Sequence, residues 1–151
     1  MNDYEFVLRE IDSSNEAVIR TYKKYHQVSF DYVRGYLTAN MSRLDTFRAV
    51  YPNDFKRLID RNTVNKEKEN KFFEDSTTGS KFPLLRTCKY RGIEYNIYLD
   101  DYGQQEFAII EGQEVSGGSF NTESDFIFAA YIDSILTDRI LKELQEEEKN
   151  D

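Results

Sequence analysis

The chain has 151 residues, enough for one ordinary domain or two small subdomains sharing a core, and a chain this long buries roughly 68–70% of its unfolded surface without any staple. Twenty-eight Asp/Glu against 20 Lys/Arg give a net charge of −8, while 39% apolar and 15% aromatic residues supply a core, so the composition is not that of a disordered chain. One cysteine, Cys88, excludes an internal disulfide and a Cys-based zinc cluster, and one histidine, His26, would have to serve any His-based triad, proton shuttle or zinc site.

The first sixty residues read as helices. Ser13-x-x-Glu16 spells a capping box ahead of Glu16 to Tyr25, where Val18, Tyr22 and Tyr25 recur at helical spacing. A second segment, from about Phe30 to Ala39, places Val33, Tyr36 and Leu37 on one face. Gly35 in its middle costs ~1 kcal/mol relative to alanine, so packing must hold this helix. Ser42-x-x-Asp45 repeats the capping spelling before Leu44, Phe47 and Val50, and Pro52 closes that helix. Asn53 or Asp54 then caps a further helix with Phe55, Leu58 and Ile59 on its apolar face.

Residues 62–80 lose the apolar period apart from Phe72 and Phe73. Glu67 and Lys71 support a helical extension, and Asp75 to Ser80 is turn chemistry that reads as a linker or hinge. From Lys81 the period becomes two. A strand from Leu84 to Tyr90 joins through Arg91-Gly92 to Tyr95, Ile97 and Leu99, which alternate with Asn96 and Tyr98. Asp100-Asp101-Tyr102-Gly103 spells a type I turn closing a hairpin onto Glu106 to Ile110, and Glu111-Gly112 leads to a short strand near Val115. Thr122-x-x-Asp125 caps a long last helix with Ile132, Ile135, Leu136, Ile140 and Leu144 as its buried stripe. The expected fold is therefore α+β: an N-terminal half of three to four helices, then a three- to four-stranded antiparallel meander packed by a long C-terminal helix. The expected divisions are a helical subdomain at 1–62, a linker or helical extension at 63–80, and an acidic subdomain at 81–151.

Charge divides near the same place. Residues 1–92 carry 17 Lys/Arg against 13 Asp/Glu, a net of +4, and residues 93–151 carry 3 against 15, a net of −12. A field of one sign over such a stretch costs self-repulsion and suggests a cationic partner or a need for solubility. The opening MNDYEFVLRE has no basic n-region and no long apolar stretch, and no run approaches the roughly 18 apolar residues of a membrane span, so a soluble cytoplasmic protein is expected.

Catalytic chemistry is sparse. His26 sits at a helix end without a Ser or Cys nucleophile signature nearby, and Cys88 lies in a strand, away from any activating helix N-terminus. Asp100, Asp101, Glu94 and Glu106 lack the neighbouring lysine of a nuclease-type cation site. The SGGS at 116–119 lacks the spacing and lysine of a phosphate loop. No catalytic activity, cofactor or metal is expected.

Two surfaces suit binding. In residues 17–40, Val28-Ser29, Val33 and Leu37 have helix-turn-helix spacing, with Lys23, Lys24, Arg34 and Thr38 as the DNA contacts. Gln27 replaces the usual turn glycine, Lys23 the usual alanine, and Asp31 puts negative charge on the reading face. The acidic half supplies Glu94, Asp100, Asp101, Glu106, Glu111 and Glu114, with Tyr98 and Tyr102 as aromatic anchors, and Glu123, Asp125, Asp133, Asp138 and Glu143 continuing on the last helix. Three readings follow: an acidic inhibitor of a DNA-handling enzyme, of the anti-restriction or anti-CRISPR type carried by phages and mobile elements; a DNA-binding regulator; and a Tyr-rich adaptor. The partner would be a protein with a basic surface, such as a nuclease or its nucleic-acid complex.

Overall fold

A computed structural model of the chain describes residues 2–64, 72–100, 105–118 and 123–149, the side chain of Lys149 excepted. The order is α1 (Asp3–Arg20, continued by a π-helical turn, Thr21–Tyr25), α2 (Phe30–Val50), α3 (Pro52–Arg61), β1 (Phe72–Glu74), β2 (Lys81–Tyr90), β3 (Ile93–Leu99), β4 (Glu106–Ile110), β5 (Gln113–Ser116) and α4 (Ser124–Lys149). This is the expected α+β architecture, with one strand more than the meander foreseen.

The helices are longer and fewer than the capping spellings suggest. Helix α1 starts at Asp3, where the Asn2 side chain accepts the Glu5 N–H at 2.8 Å and Asp3 and Glu5 complement the helix dipole. Ser13 and Ser42 lie inside α1 and α2 rather than at their starts. The apolar stripes decide this, because Tyr4, Ile11 and Val18 continue through the first serine, and Val33, Leu37 and Leu44 continue past the second. Pro52 opens α3 at its first helical position, where no N–H is required.

The chain forms two compact units, residues 1–58 with 133–151 and residues 59–132. The division differs from the one expected, since the second part of α4 belongs with the N-terminal helices. In the first unit α1 and α2 run antiparallel: Arg48 donates to the Tyr4 hydroxyl at 2.8 Å, Asn40 donates to Asn15 at 2.7 Å, and Val18 packs with Val33 and Leu37. Partner numbers fall on one helix as they rise on the other, along nearly the whole of α1. Leu144 of α4 joins the Val18 cluster. Arg48 is 2% exposed and Asp133 of α4 is 0% exposed, and the two pair at 2.7 Å.

The second unit is a five-stranded antiparallel sheet in sequential order, β1-β2-β3-β4-β5. Two of its hairpins close through two-residue turns, Arg91-Gly92 (φ 50° and 82°) and Glu111-Gly112 (φ 50° and 79°). Both residues at positive φ give the primed turn whose twist matches the strands, and glycine takes the second position at no steric cost. The segment from Asp75 to Ser80 is not a hinge but the β1–β2 hairpin loop. The Asp75 N–H donates to the Ser80 carbonyl at 2.9 Å, and the Asp75 carboxylate accepts the Thr77 N–H at 2.9 Å. The helical extension through Glu67 and Lys71 lies outside the described residues.

One sheet face carries Cys88, Tyr95, Ile97, Ala108 and Ile110, and the start of α4 lies across it, with Phe128 edge-on to Tyr95 at 6.0 Å. The opposite face carries Leu84, Tyr98 and Phe107 with Phe73 and Phe82 packed against them.

Candidate functional site

From Ile93 to Asp138 the chain contains no lysine or arginine, and this stretch forms β3, β4, β5 and the first half of α4. The hairpins decide where its acids stand. Glu111 is exposed at the β4–β5 turn, and Glu114 is exposed on β5, opposite Ile109. Since β5 ends the strand order, Glu114 lies on an edge strand, where a charge also discourages pairing with foreign strands. Asp100 is half-buried and closes the β3–β4 hairpin, its N–H donating to the Gln105 carbonyl at 2.7 Å. Asp101 and Tyr102 lie outside the described residues.

Two residues of the expected acidic surface serve the fold instead. Tyr98 is 8% exposed, because its register sets it opposite Leu84 and Phe107 in the aromatic cluster, with its ring 5.5 Å from that of Phe107. Its ring is not available as a surface anchor. Glu106 accepts both terminal nitrogens of Arg86 at 2.8 and 3.1 Å, and Asp125 accepts one of them at 3.3 Å. Hydrogen bonding from Arg86 outweighs burial and holds the Glu106 carboxyl below its ordinary range. Burial outweighs Arg86 at Asp125 and raises that carboxyl. Asp133, expected on the same acidic track, is buried against Arg48.

A pH prediction follows from the Arg86 cluster. A lowered folded-state pKa at Glu106 contributes stability that is present above the carboxyl's unfolded pKa and is lost as pH falls through the folded one. The raised Asp125 acts oppositely, costing stability as pH rises between its unfolded and folded values. Glu106→Gln should therefore lower stability at pH 7 by ~1–3 kcal/mol and lose less on acidification than the parent. Urea unfolding at pH 7 and near pH 3 measures both; an equal loss in parent and variant would remove Glu106 from the acid response.

The basic window does not form a helix-turn-helix. Such motifs cross at roughly 90–120° across a short turn, whereas α1 and α2 pack antiparallel through Val18, Asn15 and Tyr4. Lys23 pairs with Glu147 at 3.1 Å, Arg34 pairs with Asp31, and Lys24 stands 5.5 Å from the Tyr25 ring centre. Thr38 is exposed on α2. The charge polarity of the sequence is also reduced in the fold. The first unit carries 12 Lys/Arg against 15 Asp/Glu, net −3, and the second carries 8 against 13, net −5.

Two concave features were not among the expected sites. A cavity of about 170 Å³ is lined by Tyr22, Lys23, His26, Leu144, Glu147 and Glu148. A shallow groove of about 370 Å³ runs along α2 over Ala39, Arg43, Phe47, Val50 and Tyr51. Helical spacing within α2 announces the groove, but nothing in the sequence brings residues 22–26 to 144–148.

His26 is exposed in a left-handed conformation (φ 52°) that ends the π-helical turn. Cys88 is fully buried, and burial pushes its thiol up. Among the described residues no group of three or more His, Cys, Asp or Glu is placed to hold a metal ion, and no helix is long and apolar enough to cross a membrane. No family model, curated protein or solved structure matches the chain.

Proposed function

We propose that the chain is a non-enzymatic binding protein whose acidic surface engages a cationic, nucleic-acid-binding groove of a DNA-handling enzyme, as an inhibitor of the anti-restriction or anti-CRISPR type. The observation that carries this reading is the β4–β5 hairpin. It presents Glu111 on a two-residue turn and Glu114 on the edge strand that follows, both exposed, within a stretch that contains no lysine or arginine. A fixed anionic element gives up less conformational entropy on binding than a disordered acidic tail, and phosphate-binding grooves attract such charge. Glu106, Asp125 and Asp133 are not counted in this surface, because arginines within the fold hold them, Arg86 the first two and Arg48 the third.

Charge reversal at Glu111→Lys/Glu114→Lys is the test, with enzyme–DNA competition as the readout. Slower association by about tenfold or more, shrinking as salt rises, is expected. Unchanged competition would move the working surface elsewhere. The α2 groove favours one second reading, an adaptor for a protein partner, since Val50 is 61% and Tyr51 47% exposed there.

A further inference from the structure

The cavity beside the π-helical turn lies wholly within the first unit and combines three kinds of wall. Leu144, 4% exposed, gives it an apolar floor, and Tyr22 gives it an aromatic side. Glu147 and Glu148 supply two carboxylates against the single ammonium of Lys23. The Tyr22 hydroxyl is raised in pKa, first by burial and then by the neighbouring Glu148 carboxylate. Lys23 reaches both Glu147 oxygens, at 3.1 and 3.4 Å, but its side chain is 49% exposed and that of Glu147 56%. An ion pair so open to water is weak.

We propose that this cavity binds an arginine side chain presented by the cationic partner, and that Lys23 occupies the anionic site until it arrives. The proposal rests on the reading above for the partner's charge, but the site stands on its own geometry. At about 170 Å³ the cavity is smaller than the roughly 300–1,000 Å³ of small-molecule sites, which suits a single side chain. Among the lining residues Leu144 offers apolar contact to the methylenes and Tyr22 an aromatic ring beside a cation, and a guanidinium fork can meet two carboxylates where the Lys23 ammonium pairs with one. The opposite ligand class, an anion, meets two carboxylates and is disfavoured.

The test titrates the full chain with N-acetyl-arginine amide while following the amide resonances of Tyr22, Lys23 and His26. N-acetyl-citrulline amide, of the same shape without charge, is the control. Saturable shifts with a millimolar constant are expected for the arginine probe and none for citrulline. Glu147→Gln/Glu148→Gln should weaken binding by about tenfold or more, and Lys23→Ala should tighten it by about threefold. These side chains are exposed, so folding should be retained, and circular dichroism checks it. Equal shifts from citrulline, wild-type affinity in the double glutamine variant, or weaker binding in Lys23→Ala would overturn the proposal. Glu111 and Glu114 do not line the cavity. Their reversal must leave the arginine titration unchanged, so failure of the hairpin reading and failure of this one are separately visible.

Discussion

Replacing Asp133 with alanine is expected to destabilise the protein by about 3–5 kcal/mol, the range for breaking a buried ion pair by removing one partner. Asp133 is 0% exposed, and the Arg48 side chain that meets it is 2% exposed. One terminal nitrogen of Arg48 donates to Asp133 at 2.7 Å and to the Tyr4 hydroxyl at 2.8 Å, the other pairs with Asp45, and the guanidinium stands 5.7 Å from the Phe55 ring centre. Without Asp133 the guanidinium, itself almost fully buried, keeps the half-exposed Asp45 as its anionic partner among these contacts. The double variant Arg48→Met/Asp133→Leu should recover most of the loss, because apolar residues of similar volume need no compensating charge. Urea midpoints at constant m, assembled into a double-mutant cycle, read the coupling directly. A single-variant loss below ~1 kcal/mol would mean that the guanidinium regains water when its partner is removed.

Phe128→Ala should cost a similar amount, about 3–5 kcal/mol, through a different mechanism. Phe128 is fully buried, as are Ala129 and Ile132 on the same helix, and its ring is edge-on to Tyr95 of the sheet. Truncation removes the ring and leaves a void against a tyrosine whose hydroxyl has no hydrogen-bond partner among the described residues. Phe128→Leu, which fills most of that space, should cost clearly less. Thermal unfolding separates the two; equal losses would show that ring geometry rather than volume matters at this position.

The fold was legible where period and turn chemistry agree. The change from helical spacing to alternation at Lys81, and the Arg91-Gly92 and Glu111-Gly112 pairs, specify the meander with little ambiguity. Capping spellings misled, since a serine followed three residues later by an acid also occurs inside a helix whose apolar stripe continues. The strand β1 was hidden because three residues, Phe72–Glu74, are too few to show alternation. Acids were harder to place than strands. Arg86 and Arg48 decide which carboxylates reach the surface, and both arginines act over long separations in sequence. Arg48 gave a local signal, falling four residues after Leu44 on the buried stripe of α2, where a charge demands a partner. Asp133 gave no such signal, because it directly follows Ile132 on α4 and successive helical residues face different ways.

Arg48 and Asp133 are separated by 85 residues, and this distance orders events during synthesis. At roughly 5–20 residues per second a ribosome needs about 4–17 s to pass from one codon to the other. Throughout that interval the α1–α2 hairpin can pair, but the arginine in its interior has no Asp133 to meet. Until the last helix emerges, Arg48 can pair within the hairpin with Asp45 and the Tyr4 hydroxyl but not with Asp133. The first helices to be made are thus completed only by a late one, so folding of this unit waits for translation to pass well beyond the sheet.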